Sequence, residues 1–274
     1  MTLTLGAAGL WAFVEKVAEH GGEHGEGGAD FILEEVTDHV LIPLPKVLGV
    51  DLSITKHVLM VWIAALVLVF LFALSRRGAG LVPRGLANFL EAIVVFLRDD
   101  VLKPYLGHDA DRFAPYLLTV FFFILTMNLL GLVPMGATAT SNISVTATLA
   151  VLTFVVGQGA AILRKGPLGY LRNFIPPGIP GFVVPILFVA EVMGLFTKHF
   201  ALAIRLFANM VADHMVVFTL LGLIFIFRSV LIAFISVPAA AAVELLALLI
   251  AFIQAYIFTM LSAVFIGLAL AEEH

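Results

Sequence analysis

Residues 58–74 read VLMVWIAALVLVFLFAL, a run without one charged side chain that Arg76 and Arg77 bring to a stop. A helix needs about 17–25 apolar residues to cross the roughly 30 Å hydrocarbon core of a bilayer, so this stretch reads as a membrane span. The whole chain has the same character. Of its 274 residues 62% are hydrophobic and 12% are charged, and the mean hydropathy is +1.11. An ordinary soluble domain carries about 25% charged residues. Half that density cannot cover a water-exposed surface. A soluble globular enzyme and a disordered chain are therefore excluded. The absence of cysteine rules out disulfides, Cys-ligated zinc, iron–sulfur clusters and thiol nucleophiles.

Working outward, residues 80–107 hold Phe89, Ile93, Phe96 and Leu97 at helical spacing, beside the polar Glu91, Arg98, Asp99 and Asp100. That pattern reads as an amphipathic helix lying in the membrane interface. A second span covers about 116–133 and ends at the breaker Pro134, and a third covers about 143–163 and ends at Arg164 and Lys165. A Gly/Pro-rich connector, GPLGYLRNFIPPGIPG, follows. Two apolar tracts remain, about 182–227 and 231–271. A straight helix of 40 residues is about 60 Å long, twice the hydrocarbon thickness. Each tract is either two spans or one steeply tilted helix. Neither holds an internal Pro-Gly turn that would make a hairpin, so the tilted reading is preferred. The predicted fold is an all-α polytopic membrane protein of about five membrane helices, the last two long and strongly tilted, with one interfacial amphipathic helix.

Residues 1–55 form a separate acidic, Gly- and His-containing segment, and residues 56–274 form the membrane domain. The segment carries Glu15, Glu19, Glu23, Glu26, Asp30, Glu34, Glu35, Asp38 and Asp51 against only Lys16 and Lys46. It does not read as a signal peptide, since a basic start and a clear small-residue cleavage site are both missing. His20 and His24 beside Glu19 and Glu23 are read as a solvated stretch rather than a metal site, because the surrounding glycines preorganise nothing. No basic block suits nucleic acid. Arg76, Arg77 and Arg84 lie two spans before Arg164, Lys165 and Arg172, so both groups face one side, the cytoplasmic one by the positive-inside rule. The N-terminus is then outside and the C-terminus cytoplasmic.

The informative residues are ionisable groups inside apolar tracts. Each costs about 2.5–3.5 kcal/mol at a helix centre on insertion scales. The fourth tract holds Glu191, Lys198, His199, Arg205, Asp213 and His214, and the fifth holds Glu244 with the neutral Gln254. Lys198 and Arg228 can snorkel to an interface. Arg205 cannot, and neither of its nearest same-helix acids, Glu191 and Asp213, is one turn away. At about 100° per residue, Glu191, Lys198, Arg205 and Asn209 fall within about 40° of one another. Ala201, Ala208 and Ala212 flank that stripe and let another helix approach closely. An arginine in lipid needs an anion, which a partner helix can supply. Asn128, Asn142, Ser144 and Thr146 are milder polar positions, read equally as caps, interhelix hydrogen bonds or parts of a water path.

No GxxxxGK[ST], HExxH or GxSxG motif occurs, and no haem pair of histidines at bundle spacing. The chain has no catalytic set of its own and no cofactor or metal site. It reads as a protein that conducts or couples.

Four segments, RLFANMVADH (205–214), AFIQAYIFTMLSAVFIGLAL (251–270), TMNLLGLVP (126–134) and SNISVTATLA (141–150), give the chain a resemblance to subunit a of the F-type, proton-translocating ATP synthase. The resemblance runs from about Val58 to the C-terminus, in family order. It implies a non-catalytic stator subunit of a rotary machine in the bacterial plasma membrane. Its implied partners are the c-ring proteolipids, the peripheral-stalk b subunits, membrane lipid and, indirectly, the F1 sector. Arg205 aligns with the family's essential arginine, which faces the c-ring. Asn209 and Gln254 align with its polar neighbours, and Glu191 with an acid near the cytoplasmic half-channel. His214 falls where many relatives have an acid. The His or Glu that many relatives carry seven residues before the glutamine is Ala247 here, with Glu244 about one turn earlier. Asp213, Asn128, Asn142 and Ser144 complete the proton-path candidates. On this reading Arg205 separates two offset half-channels, favours an ionised ring carboxylate and repels protons. The alternative is a self-contained secondary transporter with Arg205 as an anionic-substrate anchor. The lack of an internal repeat counts against it.

Overall fold

The computed structural model describes residues 40–42, 53–77, 85–133, 139–172, 182–227 and 229–271. The Glu19/His20/Glu23/His24 group, nearly all of the acidic segment 1–55, Arg84, Arg228 and the terminal Glu272–His274 lie outside them. Helix α1 spans Lys56–Arg77. Before it, β1 (Val40–Ile42) pairs antiparallel with β2 (Ile54–Thr55), a short ladder that hydropathy does not signal. Thr55 then caps α1, its hydroxyl accepting the Val58 N–H at 3.4 Å.

The amphipathic segment is α2 (Leu86–Phe96), a π-helical turn (Leu97–Leu102) and the one-turn α3 (Lys103–Leu106). A 3₁₀ turn at Gly107–Asp109 leads into α4 (Ala110–Gly131). Gly107 sits at φ 53°, where a side chain would be strained, and there the chain changes direction. The segment buries Leu90, Leu97 and Val101, whereas Phe89 and Phe96 are exposed. Of the apolar positions that the periodicity singled out, only Leu97 is fully buried on this side. The two phenylalanines suit contact with lipid.

A 3₁₀ turn at Ala139–Ser141 precedes α5 (Ile143–Arg172). The Gly166-Pro167 step, with Gly166 at φ 72°, breaks its regularity, and a last helical turn continues where the sequence reads as connector. Helix α6 (Val184–Phe227) has 44 residues and α7 (Val230–Leu270) has 41, each unbroken. Among the described residues, five helical runs are long and apolar enough to cross a membrane. In lipid no water satisfies a broken backbone, so a tract without a turn signal stays helical throughout. The chain is thus an all-α polytopic protein built around these runs.

Two compact units divide it. The first comprises Met1–Val69, Phe123–Asn142 and Phe207–Gln254, and the second Phe70–Phe122, Ile143–Leu206 and Ala255–His274. In the second unit Leu102, Leu106, Phe113, Leu117, Ala263 and Ile266 form a packed core. Small residues set its helix spacing. A Cβ at Gly157 would stand 3.2 Å from Ile266, and one at Gly267 would overlap the Tyr105 carbonyl. Because the latter neighbour is backbone, it cannot rotate away. Gly267→Ala is expected to cost about 1–3 kcal/mol, read as a lower thermal unfolding midpoint of the purified protein in detergent. In the first unit, Ala240, Ala247 and Ala251 form the buried stripe of α7.

Candidate functional site

Most hydroxyls in these helices are satisfied by their own backbone. Thr119, Thr148, Thr153, Thr197, Thr219, Thr259 and Ser262 each donate to the carbonyl four residues earlier. They have little left to offer a ligand or an ion. The amide and carboxyl side chains differ, since a helix does not satisfy them locally.

In the first unit, Asn209 of α6 donates from Nδ2 to Gln254 Oε1 of α7 at 2.9 Å. Gln254 is buried, and its Nε2 has no hydrogen-bond partner among the described residues. Asp213, one turn after Asn209, likewise has a buried, unpartnered Oδ2. Buried polar atoms are nearly always hydrogen-bonded, so two orphans in one unit mark a polar place rather than packing. Glu244 of α7 is half-buried and within electrostatic reach of Asp213. His214, also half-buried, stacks on Phe218 with ring centroids 6.1 Å apart. Two amides, two carboxyls and an imidazole thus come from two helices of one unit. Proton acceptors and amides together can pass or orient protons.

Ala247 is 1% exposed. It packs within the small-residue stripe of α7, whereas Glu244, three residues earlier, is half-buried.

Asn128 of α4 is completely buried and bridges elements of the first unit. Its Oδ1 accepts the Thr140 hydroxyl at 3.0 Å, and its Nδ2 donates to the Ala251 carbonyl at 3.5 Å. Of its readings from sequence, interhelix hydrogen bonding is the one these contacts match. Asn142, half-buried, closes the turn through its N–H to the Ala139 carbonyl at 3.3 Å.

In the second unit, Glu191, Lys198 and Arg205 of α6 are exposed, as is Ser144 at the start of α5. Arg205 makes no ion pair among the described residues. Its charge is therefore turned outward, with the small exposed Ala201 on the same helix. In this unit the structure places His199, to which the sequence gives no role, and two polar pairs that the sequence does not signal. His199 is buried against Phe154 and Phe265, each ring 5.1 Å away, and its Nδ1 lies 2.9 Å from the Leu195 carbonyl. Gln158 accepts the Tyr170 hydroxyl at 2.7 Å, and Tyr116 meets Thr153 at 3.1 Å. In the first unit, His57 is the residue missed. It follows Thr55 and Lys56 at a helix start, where a histidine reads as an ordinary first-turn residue.

Comparison with known proteins gives a consistent result. The family described as "ATP synthase A chain" matches residues 58–267. A protein named "ATP synthase subunit a" from Chloroherpeton thalassium is 50% identical over 240 residues, covering 85% of this chain and 72% of that protein. "ATP synthase subunit a 2" from Chlorobaculum tepidum is 44% identical over 283 residues, covering 97% of this chain and 80% of that one. "ATP synthase subunit a" from Chlorobium phaeobacteroides is 46% identical over 269 residues, covering 92% and 79%.

Proposed function

Since the chain belongs to the ATP synthase A chain family, we propose that it is the membrane stator subunit of a rotary ATP synthase, coupling proton flow to rotation of a c-ring. The observation that carries this reading is the Asn209–Gln254 bridge beside Asp213 and Glu244, which gathers proton-handling groups inside an apolar unit. Such groups are costly in lipid and mark ion paths.

In this reading two half-channels reach the ring carboxylates from opposite sides. Asp213, His214, Glu244, Asn209, Gln254, Asn128, Asn142 and Ser144 serve the outer path, and Glu191 the cytoplasmic one. Arg205 separates the two. Its outward-facing guanidinium stands ready for the carboxylate of a passing ring subunit and favours that group's ionised form. Because arginine does not lose its proton in a protein, it is a barrier and never a carrier. The membrane potential supplies about 2.3 kcal/mol per charge per 100 mV.

Helices α6 and α7, at about 60 Å or more, exceed the bilayer thickness and lie tilted along the ring. Only 6% of the most apolar stretch of α6 and 17% of that of α7 is buried within the chain, leaving faces for ring subunits, b subunits and lipid. Arg164 and Lys165 face the cytoplasm of a bacterium, with the N-terminus outside. The nucleotide chemistry belongs to the F1 sector, and this chain contributes the ion path.

Purification through a C-terminal tag in mild detergent, followed by mass spectrometry, tests the assignment. A small two-helix proteolipid in many copies, together with large nucleotide-binding subunits, is the expected company. Recovery of a stable, monodisperse chain alone would count against a rotary machine. It would bring forward a secondary transporter anchored at Arg205.

A further inference from the structure

The polar groups of the first unit extend beyond the residues assigned above. His57, in the first turn of α1, is 4% exposed. Its Nε2 lies 3.3 Å from Ser141 Oγ. Ser141 ends the 3₁₀ turn whose preceding residue, Thr140, is fully buried and donates to Asn128 Oδ1 at 3.0 Å. Asn128 in turn donates to the Ala251 carbonyl at 3.5 Å, three residues before Gln254. The start of α1, the 139–141 turn, the end of α4 and the middle of α7 therefore share one series of polar groups. The series approaches Gln254 of the Asn209–Gln254 bridge.

Among His57, Ser141, Thr140 and Asn128, only the imidazole has one ring nitrogen that accepts a proton while the other donates one. The Ser141 hydroxyl meets one nitrogen of this buried ring across 84 residues of sequence, so the ring is joined to a polar side chain of another element. Thr140 and Asn128 hold the turn within the unit, and His57 with Ser141 is the part of the series that joins an imidazole to a hydroxyl. Lys56 is the neighbouring charged residue on the same helix.

Resting on the reading of this chain as the proton-path subunit, we propose that His57 is a proton-relay residue of the outer half-channel, exchanging protons through Ser141 Oγ. The balance is one proton in and one out. A hydronium ion on the outer side gives its proton to one ring nitrogen, leaving water and imidazolium. The other nitrogen passes its proton to Ser141 Oγ as that hydroxyl releases its own hydrogen onward to water in the half-channel. The ring returns to neutral as the other tautomer, and reorientation or the reverse exchange resets it. No group is consumed, and Asn128 holds the turn in place without carrying a proton.

The test uses the assembled ATP synthase in proteoliposomes. His57→Gln keeps an amide able to hydrogen-bond Ser141 but has no titratable nitrogen. His57→Ala leaves room for free imidazole. Proton-driven ATP synthesis is expected to fall by about tenfold or more in both variants, the lower range for loss of a positioned proton carrier. Added imidazole should raise the rate of His57→Ala and leave that of His57→Gln unchanged. Wild-type rates in His57→Gln, losses that imidazole does not relieve in His57→Ala, or failure of either variant to enter the complex would overturn the relay and make His57 a packing residue. An Arg205→Ala control separates the two levels. If that variant conducts normally, the stator reading fails. If it is dead while both His57 variants run normally, the relay alone fails.

Discussion

Arg205→Ala is expected to abolish ATP-driven proton pumping in vesicles, to below about a hundredth of the wild-type rate. The complex should still assemble, and its soluble sector should still hydrolyse ATP. The argument starts from cost. An arginine within an apolar helix is destabilising by about 2.5–3.5 kcal/mol on insertion scales, yet Arg205 is exposed on α6 and has no ion pair among the described residues. A purely structural arginine would be paired inside the chain. On the proposed reading, alanine would remove together the cation that pairs with a ring carboxylate and the positive barrier between half-channels. Arg205→Lys is expected to fail as well, since lysine loses its proton readily when buried and lacks the planar fork. Normal pumping in Arg205→Ala would sink the stator assignment. Full activity in Arg205→Lys would reduce the requirement to one positive charge.

The second large effect is expected at Glu244. Glu244→Gln keeps size and hydrogen-bonding capacity but cannot carry a proton. Proton-driven ATP synthesis should drop by about 10²-fold, the low end of what a positioned general acid or base contributes. Glu244→Asp should recover part of the rate. The structure adds a sharper form of this test. Moving the acid to the neighbouring turn, as Glu244→Ala with Ala247→Glu, should not restore function, because Ala247 is 1% exposed within the packed stripe of α7. A larger side chain there overpacks the helix contact. Wild-type synthesis by Glu244→Gln would remove the residue from the path. Rescue by the relocated acid would show that the α7 stripe yields more easily than its packing indicates.

The sequence by itself determined that this is a membrane protein of about five apolar helical runs, and it located Arg205, Glu191, Asp213, His214 and Glu244 within them. Hydropathy is legible because the transfer of a side chain into lipid depends mainly on that side chain, and it adds along a segment. The segment 205–214 was legible as well, since it is contiguous. Tertiary structure decided what depends on distant partners. The Asn209–Gln254 bond joins residues 45 apart in the chain, and the Asn128–Ala251 contact joins residues 123 apart. No local pattern encodes which amide meets which carbonyl. The same holds for the amphipathic segment. Its periodicity singles out Phe89 and Phe96, which are exposed, and passes over Leu90 and Val101, which only the packing of neighbouring elements buries. It holds for Ala247, whose burial in the α7 stripe no local pattern shows. It holds most for His57, an ordinary first-turn histidine whose meaning lies in Ser141, 84 residues on. Insertion into lipid is a one-body energy and can be read from composition. Hydrogen bonding and close packing are many-body energies, fixed only once the helices have chosen their neighbours.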